Sequence, residues 1–249
     1  MKYIGGKFKA RRVIRSYFPR HLKEMVSPFL GGGHVELDCA ADGVVVHGHD
    51  LYEDLVNFWQ RVDEDPEAMM NLAKSYLQGF DKDLFNELYE TYDAKLPLER
   101  AVIFWIVHRC TFAGGGFRDK WFNENHNFNI ESCQKLGQYF NPNLRVKCLD
   151  YEEALNNHPS TFAYLDPPYM FLNQKNNFYG RRGSMHEGFD HNRLREVLGN
   201  RKAPWVMSYN NIEPIRRLYE GFKQVIPFWH YSMSENPGDA EILIIHEGG

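Results

Sequence analysis

Four consecutive residues, Asp166-Pro167-Pro168-Tyr169, bring a carboxylate, two proline carbonyls and an aromatic ring into one stiff turn. Two successive prolines have no N–H to give a sheet ladder, so the chain must leave the sheet there. The preceding run, Thr161-Phe162-Ala163-Tyr164-Leu165, reads as an apolar strand. The turn therefore falls at a strand's carboxyl end, where open α/β sheets place their ligand crevices. Asp166 and the Pro167 carbonyl can both accept hydrogen bonds from one NH2 group, while Tyr169 stacks on the planar ring that carries it. A rigid strand-ending turn with no chemistry is the plain alternative.

A second constellation lies earlier. Ser27-Pro28-Phe29-Leu30-Gly31-Gly32-Gly33-His34-Val35-Glu36-Leu37 reads as strand, glycine turn and helix. Glycines allow close backbone approach to a ligand, and the helix N-terminus offers free N–H groups. Asp50 follows Gly33 by seventeen residues, at the end of the next strand, placed to accept hydrogen bonds from ribose hydroxyls. Glu36 occupies the third glycine position of a G-x-G-x-x-G pattern, and no Lys-Ser/Thr follows as in a P-loop. These two features alone also suit a dinucleotide-dependent oxidoreductase, which would leave the Asp-Pro-Pro-Tyr turn without a role.

The elements that must carry these residues alternate between short apolar runs and helical patterns, the signature of an α/β fold. Strands are expected at Met25–Ser27, Val44–His47, Arg145–Leu149, Thr161–Leu165, Trp205–Ser208, Gln224–Ile226 and Ile242–Ile245. Seven strands suit a doubly wound sheet. Between residues 54 and 140 strand signals vanish and helical periodicity predicts helices over 66–78, 81–92 and 98–112, Pro66 and Pro97 falling near helix starts. The stretch reads as a helical insertion. It ends in a polar, aromatic-rich loop, Gly114 to Asn123, of a composition that is more often functional than idle.

The 249 residues, 43% hydrophobic and 25% charged, suffice for a substantial core without disulfides or structural metals. No run approaches the roughly 18 apolar residues of a membrane span, and the N-terminus has no apolar signal region, so a soluble cytoplasmic protein is expected. Cys39, Cys110, Cys133 and Cys148 form no close pair, and the eleven histidines include no H-E-x-x-H, so reduced thiols and no metal site are expected. The net charge of -4 argues against simple coating of nucleic acid, but the charge is uneven. Residues 1–25 hold eight Lys/Arg against Glu24 alone, residues 36–67 hold ten acids against Arg61, and residues 171–223 hold ten bases against five acids. Two separated basic regions can make one basic face if the fold joins them.

Taken in order, these motifs resemble the Dam-type (D12 class) adenine-specific DNA methyltransferase family nearly end to end. Lys2-Tyr3-Ile4-Gly5-Gly6-Lys7 is similar to that family's N-terminal cofactor motif, Pro28 to Gly33 to its glycine motif, and Asp50 to its ribose-binding acid. Leu149-Asp150-Tyr151 resembles its adenine-contacting motif, and Asp166-Pro167-Pro168-Tyr169 matches its catalytic motif without change. Phe189-Asp190-His191 through Leu194, Met207-Ser208-Tyr209-Asn210 and Glu241 to Ile245 resemble its later core segments. Two positions depart from the pattern: Tyr52 stands where the family commonly has Asn, and His246 where it commonly ends the last strand with Asn.

The resemblance implies a doubly wound seven-stranded Rossmann-like methyltransferase sheet, with residues 1–53 and 141–249 as catalytic domain and the insertion at 54–140 for target recognition. It implies methyl transfer from S-adenosylmethionine, leaving S-adenosylhomocysteine, to N6 of a flipped adenine in duplex DNA, with no metal. Asp166, Pro167, Pro168 and Tyr169 are then the catalytic candidates. Tyr3, Gly5, Gly6, Lys7, Pro28, Phe29, Gly31, Gly33, Asp50, Asp150, Tyr151 and Asp166 are the cofactor candidates. DNA contacts are expected from Lys9 and Arg11 near the N-terminus and from Arg109, loosely matched to the family. Arg118, Lys120 and Trp121 in the long loop, and Arg181 and Arg182 after the catalytic turn, complete that set. A monomer, bacterial or encoded by a phage or virus, is expected. The same strand-end chemistry would serve cytosine, an RNA adenine or a protein glutamine amide, since each presents a planar NH2.

Overall fold

The computed structural model describes residues 1–3, 5–118, 120–170, 188–227 and 241–249. Seven strands, β1 (Glu24–Ser27), β2 (Val45–Asp50), β3 (Leu144–Cys148), β4 (Phe162–Leu165), β5 (Trp205–Asn210), β6 (Lys223–Val225) and β7 (Glu241–His246), form one sheet in the order β3-β2-β1-β4-β5-β7-β6. β1 to β5 run parallel to one another, and β7 runs antiparallel to both β5 and β6. All seven strands expected from the apolar runs are present, within three residues at each end.

Period-two alternation explains why the sheet is covered on both faces. On β5, Trp205, Met207 and Tyr209 enter one core while Val206 enters the other; on β7, Ile242 and Ile244 oppose Leu243 and Ile245. The smaller core is closed by α8 (Tyr151–Asn157), α9 (His191–Asn200) and α10 (Glu213–Leu218). The larger core takes α1 (Arg11–Arg15), α2 (His34–Ala41) and α3 (Glu53–Glu64), then α4 (Pro66–Ser75), α5 (Lys82–Thr91), α6 (Pro97–Cys110) and α7 (Ile130–Leu136).

The three helices expected between 66 and 112 are there, with starts set by local chemistry. Asp65 accepts a bond from the Ala68 N–H and Asp81 from the Leu84 N–H, and Pro66 and Pro97 open their helices. α3 adds a helix that this reading did not separate from the insertion. Leu55, Val56, Phe58, Trp59 and Val62 make its buried stripe, and Gln60 donates to the Val146 carbonyl of β3 at 3.3 Å. α6 is buried on nearly every side from Ala101 to His108 and forms the axis of the helical region. Lys2 reaches across to donate to the Arg109 and Thr111 carbonyls at its end, which ties the N-terminal segment to that axis.

The topology sorts residues by edge. Parallel strands place Phe29, Asp50, Asp150, Asp166 and Asn210 at or just past the carboxyl edge. Because β7 is reversed, its first residue, Glu241, pairs with Asn210 at that same edge, and its last, His246, pairs with Trp205 at the opposite one. The departure at His246 therefore lies away from the cleft, against Trp205 and Phe222.

Candidate active site

The carboxyl edge opens into a cleft of about 960 Å³, counting the part open to solvent. All of the cofactor candidates, from Tyr3 to Asp166, border it, together with Glu36, Tyr164 and Phe189, which the sequence reading did not select. At the glycine turn, Gly31 and Gly33 adopt left-handed backbone, φ +50° and +64°, where a Cβ is strained. The missing side chains at Gly32 and Gly33 also serve internal packing. A Cβ there would stand 2.9 Å from the Tyr3 Cβ and the Trp59 ring respectively. Trp59 in turn donates to the Gly31 carbonyl at 3.1 Å. Asp50 anchors the turn from the end of β2, its Oδ2 accepting from the Gly31 N–H at 2.9 Å and its Oδ1 from the Tyr52 N–H at 3.0 Å. Burial raises its pKa, opposed by those N–H bonds. The Leu51 N–H also bonds this carboxylate, and of its four lone pairs one remains for a further donor.

On one wall Phe29, Tyr151 and Phe189 form an aromatic trio with centroids 5.6 to 5.9 Å apart. Asp150 caps α8, its Oδ1 accepting from the Glu152 N–H at 2.8 Å, which directs its carboxylate to the rim beside Tyr151.

The Asp-Pro-Pro-Tyr turn is held from several elements at once. Asp166 Oδ2 accepts from the Lys7 ammonium at 2.8 Å and Oδ1 from the Ser208 hydroxyl at 2.9 Å. Ser208 lies 3.0 Å from the Tyr164 hydroxyl, so β4 and β5 share this polar link within an apolar core. The buried Lys7 also stands 3.5 Å from Glu241 and 5.0 Å from the centre of the Tyr169 ring. Tyr169 donates to Glu241 Oε1 at 2.6 Å and stacks on Tyr209 with centroids 5.7 Å apart. Tyr209 reaches the Pro168 carbonyl at 3.3 Å, and Asn210 donates to the Met170 carbonyl at 2.7 Å. Burial raises the Glu241 pKa, opposed by Lys7. Burial also pushes Glu36 up to about 7 and holds His34 down at about 3, the cations nearby adding to the latter.

Besides Tyr164 and Phe189, motif reading missed Ser208, Glu241 and Glu36 as site members. For Ser208 and Glu241 the available signal was a polar side chain inside a largely apolar strand, and for Glu36 its place at the third glycine position; all three are buried here.

The DNA candidates divide. Lys9 is exposed beside the cleft's Lys7 segment. Arg11 donates to Asp38 Oδ1 at 3.0 Å and lies over the Phe8 ring, so part of its charge is spent within the protein. Arg109 donates to the Asn127 carbonyl at 3.2 Å and covers Trp105. Lys120 pairs with Glu90, and Trp121 is 70% exposed. Arg181, Arg182 and the Arg118 side chain lie outside the described residues. Three cysteines are buried and Cys148 is exposed. Among the described residues no group of His, Cys, Asp and Glu is arranged to hold a metal ion, and no helix is long and apolar enough to cross a membrane.

Sheet order, the reversed seventh strand and the Asp-Pro-Pro-Tyr turn at the carboxyl edge are those of a Rossmann-like methyltransferase. Comparison with known proteins narrows the class. The model of the D12 class N6 adenine-specific DNA methyltransferases matches residues 3–233, and the chain belongs to that family. It is 26% identical to the type II methyltransferase M1.LlaDCHI of Lactococcus lactis subsp. cremoris, over 89% of this chain and 84% of that one. It is 24% identical to the DNA adenine methylase of Haemophilus influenzae, over 95% and 88%. The DNA N-6-adenine-methyltransferase of Escherichia phage P1 is 25% identical over 89% of this chain, which spans 31% of that longer protein.

Proposed function

We propose that this DNA adenine methyltransferase binds S-adenosylmethionine in the carboxyl-edge cleft and methylates N6 of an adenine flipped out of duplex DNA. The observation that carries the reading is the doubly supported Asp166, with one oxygen on Lys7 and the other on Ser208. The cleft residues suit the cofactor. Asp50 keeps a lone pair for a ribose hydroxyl, the Asp150 carboxylate on the rim suits an adenine amino group, and Phe29, Tyr151 and Phe189 offer apolar faces to its ring. When bound, S-adenosylmethionine supplies a methyl group already activated by its sulfonium.

The protein's task is then positioning. The adenine amino group is a poor nucleophile because its lone pair is delocalised into the ring. Asp166 and the Pro167 carbonyl accept its two N–H bonds, favour a tetrahedral nitrogen and aim the lone pair. These bonds strengthen as the nitrogen becomes cationic, which stabilises the transition state more than the ground state. Asp166 is also the nearest acceptor for the proton that the methylated nitrogen sheds. Tyr169, fixed by Glu241 and Tyr209, stacks on the flipped base and offsets part of the few kcal/mol that flipping costs. The helical region at 54–140 reads the target and, with Lys9, Trp121, Arg181 and Arg182, contacts the duplex.

The test is product analysis. Protein, S-adenosylmethionine and unmethylated DNA should yield N6-methyldeoxyadenosine after digestion to nucleosides. Asp166→Ala should lower turnover on the order of a thousandfold while cofactor affinity stays within a few-fold. Full activity in that variant overturns the assignment. N4-methyldeoxycytidine as product would retain the cofactor half and reject the acceptor.

A further inference from the structure

Glu36 has no part in the chemistry above, yet it borders the same cleft. It sits in the first turn of α2, three residues past Gly33, and its side chain turns back onto the end of β1, where Ser27 donates to its Oε1 at 2.7 Å. Only 3% of the residue is exposed. The charged groups around it come from three other elements. Lys7 of the N-terminal segment and Asp166 at the end of β4 act on it directly, and Glu241 of β7 lies beyond Lys7. Tyr164 of β4 also faces this cluster, and His34 of its own helix is held neutral by burial. Lys7 makes its closest ionic contacts with Asp166 and Glu241. Three carboxylates thus surround one ammonium, and the one that Lys7 does not bridge is Glu36. A buried wall with surplus acid suits a positively charged ligand.

We infer that Glu36 meets the cationic end of the bound cofactor and releases a proton as that cation arrives. The inference rests on the reading of the cleft as an S-adenosylmethionine site. That molecule carries two positive groups, the sulfonium and the α-ammonium, and either one opposite Glu36 favours its ionised form. The proton passes to the buffer. With the carboxyl group of the empty cleft ionising at about 7, binding at acidic pH must first remove a proton, so affinity climbs with pH and levels off above neutrality. The sequence pattern fits: Glu36 occupies the place of the third glycine, where a nucleotide-binding turn ordinarily has no charge.

Calorimetric titration of the full chain with S-adenosylmethionine, in two buffers of different ionisation enthalpy between pH 6 and 8, tests this. Wild type should release close to one proton per cofactor near pH 6 and almost none at pH 8, with binding about tenfold weaker at the lower pH. Glu36→Gln, which can still accept from Ser27, should lose both effects. Ser27→Ala withdraws a bond that favours the charged carboxylate and should move the midpoint upward, which keeps the test intact if Glu36→Gln fails to fold. S-adenosylhomocysteine, whose sulfur is neutral, separates the two cations: undiminished release points to the ammonium, lost release to the sulfonium. Wild-type proton release and slope persisting in Glu36→Gln would overturn the inference and leave the cofactor reading standing. No binding of S-adenosylmethionine by wild type at any pH would overturn both.

Discussion

At the level of single residues, Asp166 depends on neighbours drawn from distant parts of the chain. Ser208 is buried in β5 and spends its hydroxyl between Asp166 and Tyr164. Ser208→Ala removes one hydrogen bond to a charged acceptor, worth about 1.5 to 3 kcal/mol. We expect kcat to fall roughly ten- to hundredfold in steady-state methylation assays, with cofactor affinity nearly unchanged, since Ser208 supports the Asp-Pro-Pro-Tyr turn that we propose to be catalytic. The Asp-Pro-Pro-Tyr turn was legible without coordinates because its composition has few other uses. Its supports were not. Ser208 reads as one polar letter in an apolar strand, and Glu241 joins the site only because an antiparallel register sets it opposite Asn210. That register is a tertiary fact with no local signature.

At the level of elements, legibility followed period. The strands showed themselves as apolar runs closed by turns, and Asp65-Pro66 and Asp81 marked helix starts through chemistry that the structure uses. α3 carried an equally good helical stripe, yet its partners include β3, a strand formed more than eighty residues later. Which layer a helix joins depends on such contacts rather than on its own pattern. α6 supplies the pH-dependent element. His108 is buried in it, with Nδ1 bonded to the Phe104 carbonyl at 2.8 Å, and burial lowers its pKa from 6.5 to about 4. The unfolded chain therefore binds this proton more readily. His108 contributes its full stability above pH 6.5 and loses it as pH falls toward 4, on the order of 3 kcal/mol in all. Urea unfolding of His108→Gln and wild type should converge or cross as the pH falls through that window, the variant declining less steeply.

At the level of the whole molecule, the net charge of -4 must coexist with affinity for a polyanion. The N-terminal bases are partly consumed internally, Arg11 on Asp38 and Arg15 on Asp38 and Asp42, so the phosphate-facing charge is smaller than the count suggests. DNA binding should still weaken with salt on a log–log line. Lys9→Ala should shallow the slope by about 0.9 if that side chain meets one phosphate, as measured by fluorescence anisotropy from 50 to 200 mM salt. An unchanged slope would remove Lys9 from the interface. The reversed strand also has a consequence in time. β7 lies between β5 and β6 although both precede it in the chain, so β6 has no place in the sheet until β7 inserts. Lys7 meanwhile waits for Glu241, a partner 234 residues away. Contacts of such span form late, because loop closure must precede their reward. During vectorial synthesis on the ribosome the Asp-Pro-Pro-Tyr turn emerges well before the strand that steadies it, so its full set of supports is assembled only after β7 has joined the sheet.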